Sequence, residues 1–256
     1  MADPAGKQGP ELFIRLVTAV ILLPLLGLVY YGGPLAVMVY LAVTVLMGLE
    51  ILTVKGEPLL SGRGLMLIIA ILLPGATLAA GSLSGLEVSP LISILAGGLL
   101  LLALDRSLIN LGLAMAMMLM SFCFISLTLD HHQEWLLLMV AAVIAADSTA
   151  FFGGKFFGGP KLAPKISPSK TWSGAICGLV GGGIVAGALA PVIGISTQAG
   201  VIMGVLIADF SIGGDLFESL FKRRHNVKDA GRILPGHGGI LDRCDGYLLS
   251  APLVYA

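Results

Sequence analysis

The chain alternates long apolar runs with short loops, and all of its lysines and arginines fall in every second loop. An α-helix crosses a bilayer with about 20 apolar residues. Runs of that kind lie near 12–31, 35–53, 65–82, 90–105, 109–129, 135–152, 174–195, 199–220 and 239–256. Lys7 and Arg15 stand at the start, Lys55 and Arg63 follow the second run, and Arg106 follows the fourth. Lys155, Lys161, Lys165 and Lys170 follow the sixth, and Lys222, Arg223, Arg224, Lys228, Arg232 and Arg243 follow the eighth, which accounts for all 15 cations. The intervening loops hold Glu87, Asp130 and Glu134 but no cation. Cytoplasmic loops of membrane proteins are enriched in Lys and Arg. The alternation therefore predicts an all-α, polytopic integral membrane protein of nine helices, with its N-terminus in the cytoplasm and its C-terminus outside.

Composition agrees. Hydrophobic residues make up 57% and charged residues 12% of the 256, with a mean hydropathy of +0.98. A soluble domain carries about a quarter charged residues, and 15 Lys+Arg against 15 Asp+Glu leave no basic excess for nucleic acid. A cleaved signal peptide is disfavoured for the first run, which lacks a convincing small-residue cleavage site and is followed by eight more. Cys123, Cys177 and Cys244 show neither a disulfide framework nor metal-site spacing, and read as small apolar residues. Gly174, Gly178 and Gly182, with Gly183 and Gly187, recur every fourth residue and predict close helix packing. Pro24, Pro74 and Pro191 predict kinks.

Chemistry concentrates in the C-terminal part. Ten of the 15 cations lie in the two loops 153–173 and 221–243, so 1–146 reads as a helical membrane region and 147–256 as the catalytic one. Carboxylates within spans are costly and mark function. Asp147 lies near the end of the sixth run; Asp209, Asp215 and Glu218 lie along the eighth. Asp215 and Glu218 are spaced i, i+3, as are Asp242 and Asp245. Such oxygen donors suit Mg²⁺, which takes one or two carboxylates together with substrate phosphates. The competing reading pairs them internally with Lys222, Arg223 or Arg243. The segment Pro235-Gly236-His237-Gly238-Gly239 offers backbone N–H groups to phosphate, while Ser169-Lys170-Thr171 lacks the glycine spacing of a Walker A loop. His131-His132 reads as a solvated outer-loop pair.

The run Ser219-Leu220-Phe221-Lys222-Arg223 through Lys228-Asp229-Ala230-Gly231, then Leu234-Pro235-Gly236-His237-Gly238-Gly239-Ile240-Leu241-Asp242-Arg243-Cys244-Asp245, closely resembles the signature of phosphatidate cytidylyltransferases. Gly214-Asp215-Leu216-Phe217-Glu218-Ser219, Asp147 through Gly159, and Lys161 through Thr171 resemble the same family. Ser173 departs from it, standing where the family often has Glu.

The resemblance implies transfer of the cytidylyl group of CTP to phosphatidic acid in a bacterial-type inner membrane, at a site facing the cytoplasm, by a homodimer. It implies Mg²⁺ on Asp215 and Asp242 with Asp245 in support and Glu218 behind them. Lys222, Arg223 and Lys228 would neutralise the triphosphate, and His237 with Gly236, Gly238 and Gly239 would contact phosphate. Ser167, Ser169, Lys170, Thr171 and Asp147 would serve the second phosphate-bearing substrate or close the site. A CTP-dependent polyprenol kinase and an ion-coupled secondary transporter are the alternatives; the spaced pattern of CDP-alcohol phosphotransferases is not found around Asp245-Gly246.

Overall fold

A computed structural model describes residues 27–255 apart from 29, 59, 86, 87, 232 and 234–237. The first apolar run, with Lys7, Arg15 and Pro24, therefore lies almost wholly outside the described residues, as do Glu87, Arg232, Gly236 and His237.

The helices are α1 (Gly33–Lys55), α2 (Gly62–Ser84), α3 (Pro90–Leu104), α4 (Leu108–Leu129), α5 (Gln133–Phe157), α6 (Trp172–Leu189), α7 (Thr197–Arg224), α8 (Leu241–Cys244) and α9 (Tyr247–Tyr255). A 3-10 turn, Ala190–Ile193, extends α6. Their ends follow local chemistry. Ser61, Thr171 and Ser196 each accept a backbone N–H three residues on, capping α2, α6 and α7. Gly56 closes α1 with φ 68°, a left-handed conformation that glycine adopts without strain.

Among the described residues six helices are long and apolar enough to cross a membrane: α1, α2, α4, α5, α6 with its 3-10 turn, and α7. The all-α, polytopic expectation holds. Two of the nine expected runs differ in detail. The fourth forms the 15-residue α3, shorter than a bilayer requires, and the last divides into α8 and α9 around Asp245 and Gly246. Pro74 lies inside α2 as expected. Pro191 instead stands in the first turn of the 3-10 segment, where its missing N–H leaves no partner wanting.

Two groups of helices form. The first gathers α1, α2 and α3 around α4, whose Leu113, Met117, Met118 and Ile125 are fully buried. The second is the consecutive series α5, α6, α7. Helix α9 packs against both α4 and α7 and joins them. The division expected at 146/147 falls inside α5, all of which belongs to one continuous helix.

Lipid supplies no hydrophobic force between helices, so close packing through small residues must hold the second group together. A Cβ on Gly174 would meet the Ala150 carbonyl at 2.8 Å, and one on Gly178 the Ala146 carbonyl at 3.1 Å. On the other side, Gly182 faces Ala208 and the Gly204 carbonyl at 2.9 and 3.0 Å, and Gly187 faces the Thr197 carbonyl at 3.4 Å. The four-residue glycine spacing thus lets α6 lie between α5 and α7 with backbones nearly touching.

Between α5 and α6 the chain forms an antiparallel hairpin that the helical reading does not foresee, β1 (Lys161–Ala163) with β2 (Ser167–Thr171). Lys161 pairs with Thr171 and Ala163 with Ser167, with a shift of register between. Pro160, Pro164 and Pro168 disfavour helix here. The hairpin carries Ser167, Ser169, Lys170 and Thr171 to the ends of α5 and α7.

Candidate active site

The site lies where α5, the hairpin, α6 and α7 end together. A cavity of about 550 Å³ there is lined by Asp147 and Lys155 of α5, Lys161, Ser169, Lys170 and Thr171 of the hairpin, and Asp215 of α7. Lys170 forms an ion pair with Asp215, and Ser219 donates to Asp215 Oδ1 at 3.3 Å. Asp147 exposes its carboxylate to this space.

Asp245 sits beside it, behind Gly214. A Cβ at Gly214 would collide with the Asp245 carbonyl, so the glycine lets the α8–α9 junction close onto α7. Asp245 Oδ1 accepts the Gly246 N–H at 2.8 Å. It lies outside the six spanning helices, and its carboxyl is pushed up to about 7, first by burial and then by the charges of Asp215 and Asp147. Asp147 and Asp215 thus line one polar space, with the like-charged Asp245 carboxyl half-buried beside it.

A second cluster lies one turn further along α7. Lys222 Nζ is 2.5 Å from Glu218 Oε2 and 2.6 Å from Asp242 Oδ1, and these three side chains are 12%, 0% and 10% exposed. Asp242 Oδ2 also accepts Ala230 N–H at 3.0 Å and Gly239 N–H at 2.8 Å. Burial would raise the Asp242 carboxyl; the Lys222 ammonium and the Gly239 N–H outweigh it and hold the group below the usual carboxylate range. Lys222 thus makes the internal pairs that the competing reading describes, with Glu218 and Asp242.

The set Asp215, Asp242 and Asp245, expected to act together on a metal, is divided between these clusters. Among the described residues no three Asp, Glu, His or Cys side chains converge at metal-ligand spacing. Asp242 takes such a role only by releasing the Lys222 ammonium, as Asp215 does only by releasing Lys170. Asp147, Asp215 and Asp245 do fit one by donor chemistry: hard oxygens, beside a polar cavity, whose charges raise one another's cost.

Arg223 is exposed and donates from Nε to the Ile166 carbonyl at 3.3 Å, tying the end of α7 to the hairpin. Lys228 and Ser169 are exposed, and Ser167 is buried. Thr171 caps α6 through the Gly174 N–H at 3.1 Å. Ser173 donates to the Gly158 carbonyl and so fastens the loop by a neutral contact. Gly238 has φ 83°, and Gly239 is buried. Asp209 is exposed halfway along α7, apart from both clusters. His132 is exposed and Glu134 half-buried, 3.4 Å apart, at the far end of α5.

Glu50 is the residue that sequence reasoning missed. It lies in α1, 2% exposed, and its two oxygens accept the N–H groups of Ile240 and Leu241 at 2.9 and 2.8 Å. A Cβ at Gly239 would meet both oxygens at 2.7 Å. A carboxylate inside an apolar run was itself the available signal.

Fold and site together define a membrane-embedded protein whose acidic and basic side chains meet at the ends of its spans. The chain belongs to the cytidylyltransferase family, whose sequence model it matches over residues 13–256. It is 41% identical over 138 residues to the phosphatidate cytidylyltransferase of Rickettsia felis (50% of this chain, 61% of that protein). It is 48% identical over 121 residues to that of Brucella abortus biovar 1 (46% and 44%). With the Rickettsia bellii protein the identity is 40% over 132 residues (48% and 57%). The matched part of the chain thus spans about half the length of these relatives.

Proposed function

We propose that this protein transfers the cytidylyl group of CTP to phosphatidic acid, giving CDP-diacylglycerol and pyrophosphate. The carrying observation is the cavity that gathers Asp147, Asp215 and Lys170, with Asp245 beside it, in a chain of the cytidylyltransferase family. That membership argues against the secondary-transporter alternative.

The phosphatidate oxygen is already largely ionised near neutral pH, since a phosphate monoester has a second pKa of about 6. No strong general base is needed. The protein must align two polyanions and offset charge as the bond from the α-phosphorus to the pyrophosphate oxygen breaks. Lys170, held at the cavity by Asp215, and Lys161 are placed to receive phosphate oxygens, with the Ser169 hydroxyl as a further donor. Arg223, at the end of α7, and Lys228, in the loop beyond it, are both exposed and suit the triphosphate. Gly236 and His237 retain the phosphate-contact role expected of them, as a proposal outside the described residues.

Asp215 and Asp245, with Asp147, would hold Mg²⁺, which supplies charge neutralisation at the phosphates when bound. Lys222 and Asp242, expected at the triphosphate and the metal, also form a pair whose carboxylate accepts the Ala230 and Gly239 N–H groups.

The basic loops support a site on the cytoplasmic face. A homodimer is supported by Asp209, a charge exposed between Leu206 and Phe210 at mid-helix, where bare lipid is costly and a partner would cover it. Light scattering on the purified protein should give twice the chain mass.

Parallel reactions with CTP labelled at the α- or γ-phosphorus test the reaction itself. Cytidylyl transfer puts only the α-label into lipid and releases pyrophosphate. A γ-label in lipid, with CDP released, would establish the kinase alternative instead.

A further inference from the structure

We propose that the groove between α5 and α6 receives an acyl chain of the lipid substrate, and that Lys155 holds the lipid phosphate at its mouth. This rests on phosphatidate being the substrate and says where its apolar part goes. The groove is a second cavity, of about 820 Å³, lined by Phe152, Phe156, Ile176, Val180 and Ile184. Its floor is made by Gly153 and Gly181, which lie so close to Cys177 and Thr149 that no side chain could be added there. The glycines that bring the two helices together also leave the space above them open.

An apolar groove facing lipid has no meaning alone. This one adjoins the polar cavity, and Lys155 lines both. Lys155 stands two residues before the end of α5, whereas Ile184 is well inside α6. From Ile176 to Ile184 the groove follows about 12 Å of helix, at 1.5 Å per residue. It therefore runs from the ends of the helices towards the middle of the membrane, as an acyl chain runs from its phosphate.

The charges agree with that placement. Lys170 and Lys222 are held by carboxylates, but Lys155 and Lys161 are exposed and enter none of the salt bridges among the described residues. Lys155 can lay its methylenes along Phe152 and Phe156 while its ammonium stays at the polar cavity. A lipid anion matches both halves of the surface; a free nucleotide matches only one.

Val180→Trp would fill the groove from an exposed position, and Val192→Trp, on the 3-10 turn beyond it, serves as control. Turnover is measured with dioleoyl and dihexanoyl phosphatidate in mixed micelles at saturating CTP. Excluding about two methylenes from burial lowers preference for the long-chain lipid about tenfold, so Val180→Trp should reduce the dioleoyl/dihexanoyl ratio of kcat/KM by that factor. Val192→Trp should leave the ratio unchanged. Lys155→Gln should raise KM for both phosphatidates and leave KM for CTP as it was.

A second measurement uses the unaltered protein: dioleoyl phosphatidate should slow alkylation of Cys177 by N-ethylmaleimide, read by peptide mass spectrometry. A wild-type ratio in Val180→Trp, unprotected Cys177, or a change of oligomeric mass in Val180→Trp, which would make the groove a contact between copies, overturns the inference. Absence of any cytidylyl transfer by the wild-type protein overturns the proposed reaction first.

Discussion

Glu50 in the first described span and Leu241, 191 residues later, are joined by a 2.8 Å hydrogen bond from the Leu241 N–H to the Glu50 carboxylate. With the matching bond from Ile240 at 2.9 Å, it fastens the start of α8 to the N-terminal helix group. The two N–H groups that a helix start leaves without partners in the helix and a buried carboxylate satisfy each other.

Glu50→Ala should lower stability by about 1–3 kcal/mol for each N–H left without a partner. Glu50→Gln, which keeps one acceptor oxygen, should fall between Ala and wild type. Thermal unfolding in detergent orders the three.

Lys222→Met should be among the most destabilising changes in the chain, because Glu218 and Asp242 would keep buried charge with no counter-ion, at a cost of about 3–5 kcal/mol. Adding Asp242→Asn should restore part of that loss. If Lys222→Met instead unfolded at the wild-type temperature and only weakened CTP use, Lys222 would be a phosphate ligand and the pairing incidental.

Much of this architecture was legible in the sequence because lipid leaves few choices. Long apolar runs must become helices, and Gly174, Gly178 and Gly182 declared the face along which α6 is gripped. Asp147 and Asp215 were legible too, as charges that spans do not tolerate without purpose, and Asp245 by its place in the run resembling the family signature. The grouping was not. Helical spacing put Asp242 and Asp245 on one face, but their neighbours differ: Asp242 meets the Lys222 ammonium and Asp245 accepts the Gly246 N–H. The role of Glu50 depends on a contact 190 positions away, which no local pattern encodes. The hairpin was hidden because its strands, of three and five residues, are too short and polar to show alternation.

Gly204 and Gly213 lie on the same helix and should respond oppositely. A Cβ at Gly204 meets Gly182 backbone and Ala186, whereas at Gly213 it meets only the end of Leu249 at 3.6 Å. Gly204→Ala should cost at least about 1–3 kcal/mol by overpacking. Gly213→Ala should be neutral or gain about 0.5–1 kcal/mol from helix propensity. The monodisperse fraction after extraction and the unfolding temperature report both.

Asp105, in the loop after α3, predicts a pH effect. Burial opposes its ionisation, but the Ser107 N–H, Lys55 and Asn110 prevail and hold the carboxyl below its usual value near 3.8. A group lowered in the folded state stabilises fully above its unfolded pKa and loses that contribution as pH falls through the folded one. Wild type should therefore lose more stability than Asp105→Asn between about pH 5 and pH 3, measured as unfolding temperature against pH.

The most direct test of the cavity as the reaction site is turnover of CTP and phosphatidate by Asp215→Asn and Asp245→Asn, measured with unfolding temperature on the same samples. Each change keeps the side chain's size and removes a carboxylate charge, one lining the cavity at Asp215 and one half-buried beside it at Asp245. We predict turnover reduced at least about a hundredfold in both, as for loss of one strong electrostatic contact in a transition state, with protein still folded and monodisperse. Near-normal turnover in both variants would contradict the account.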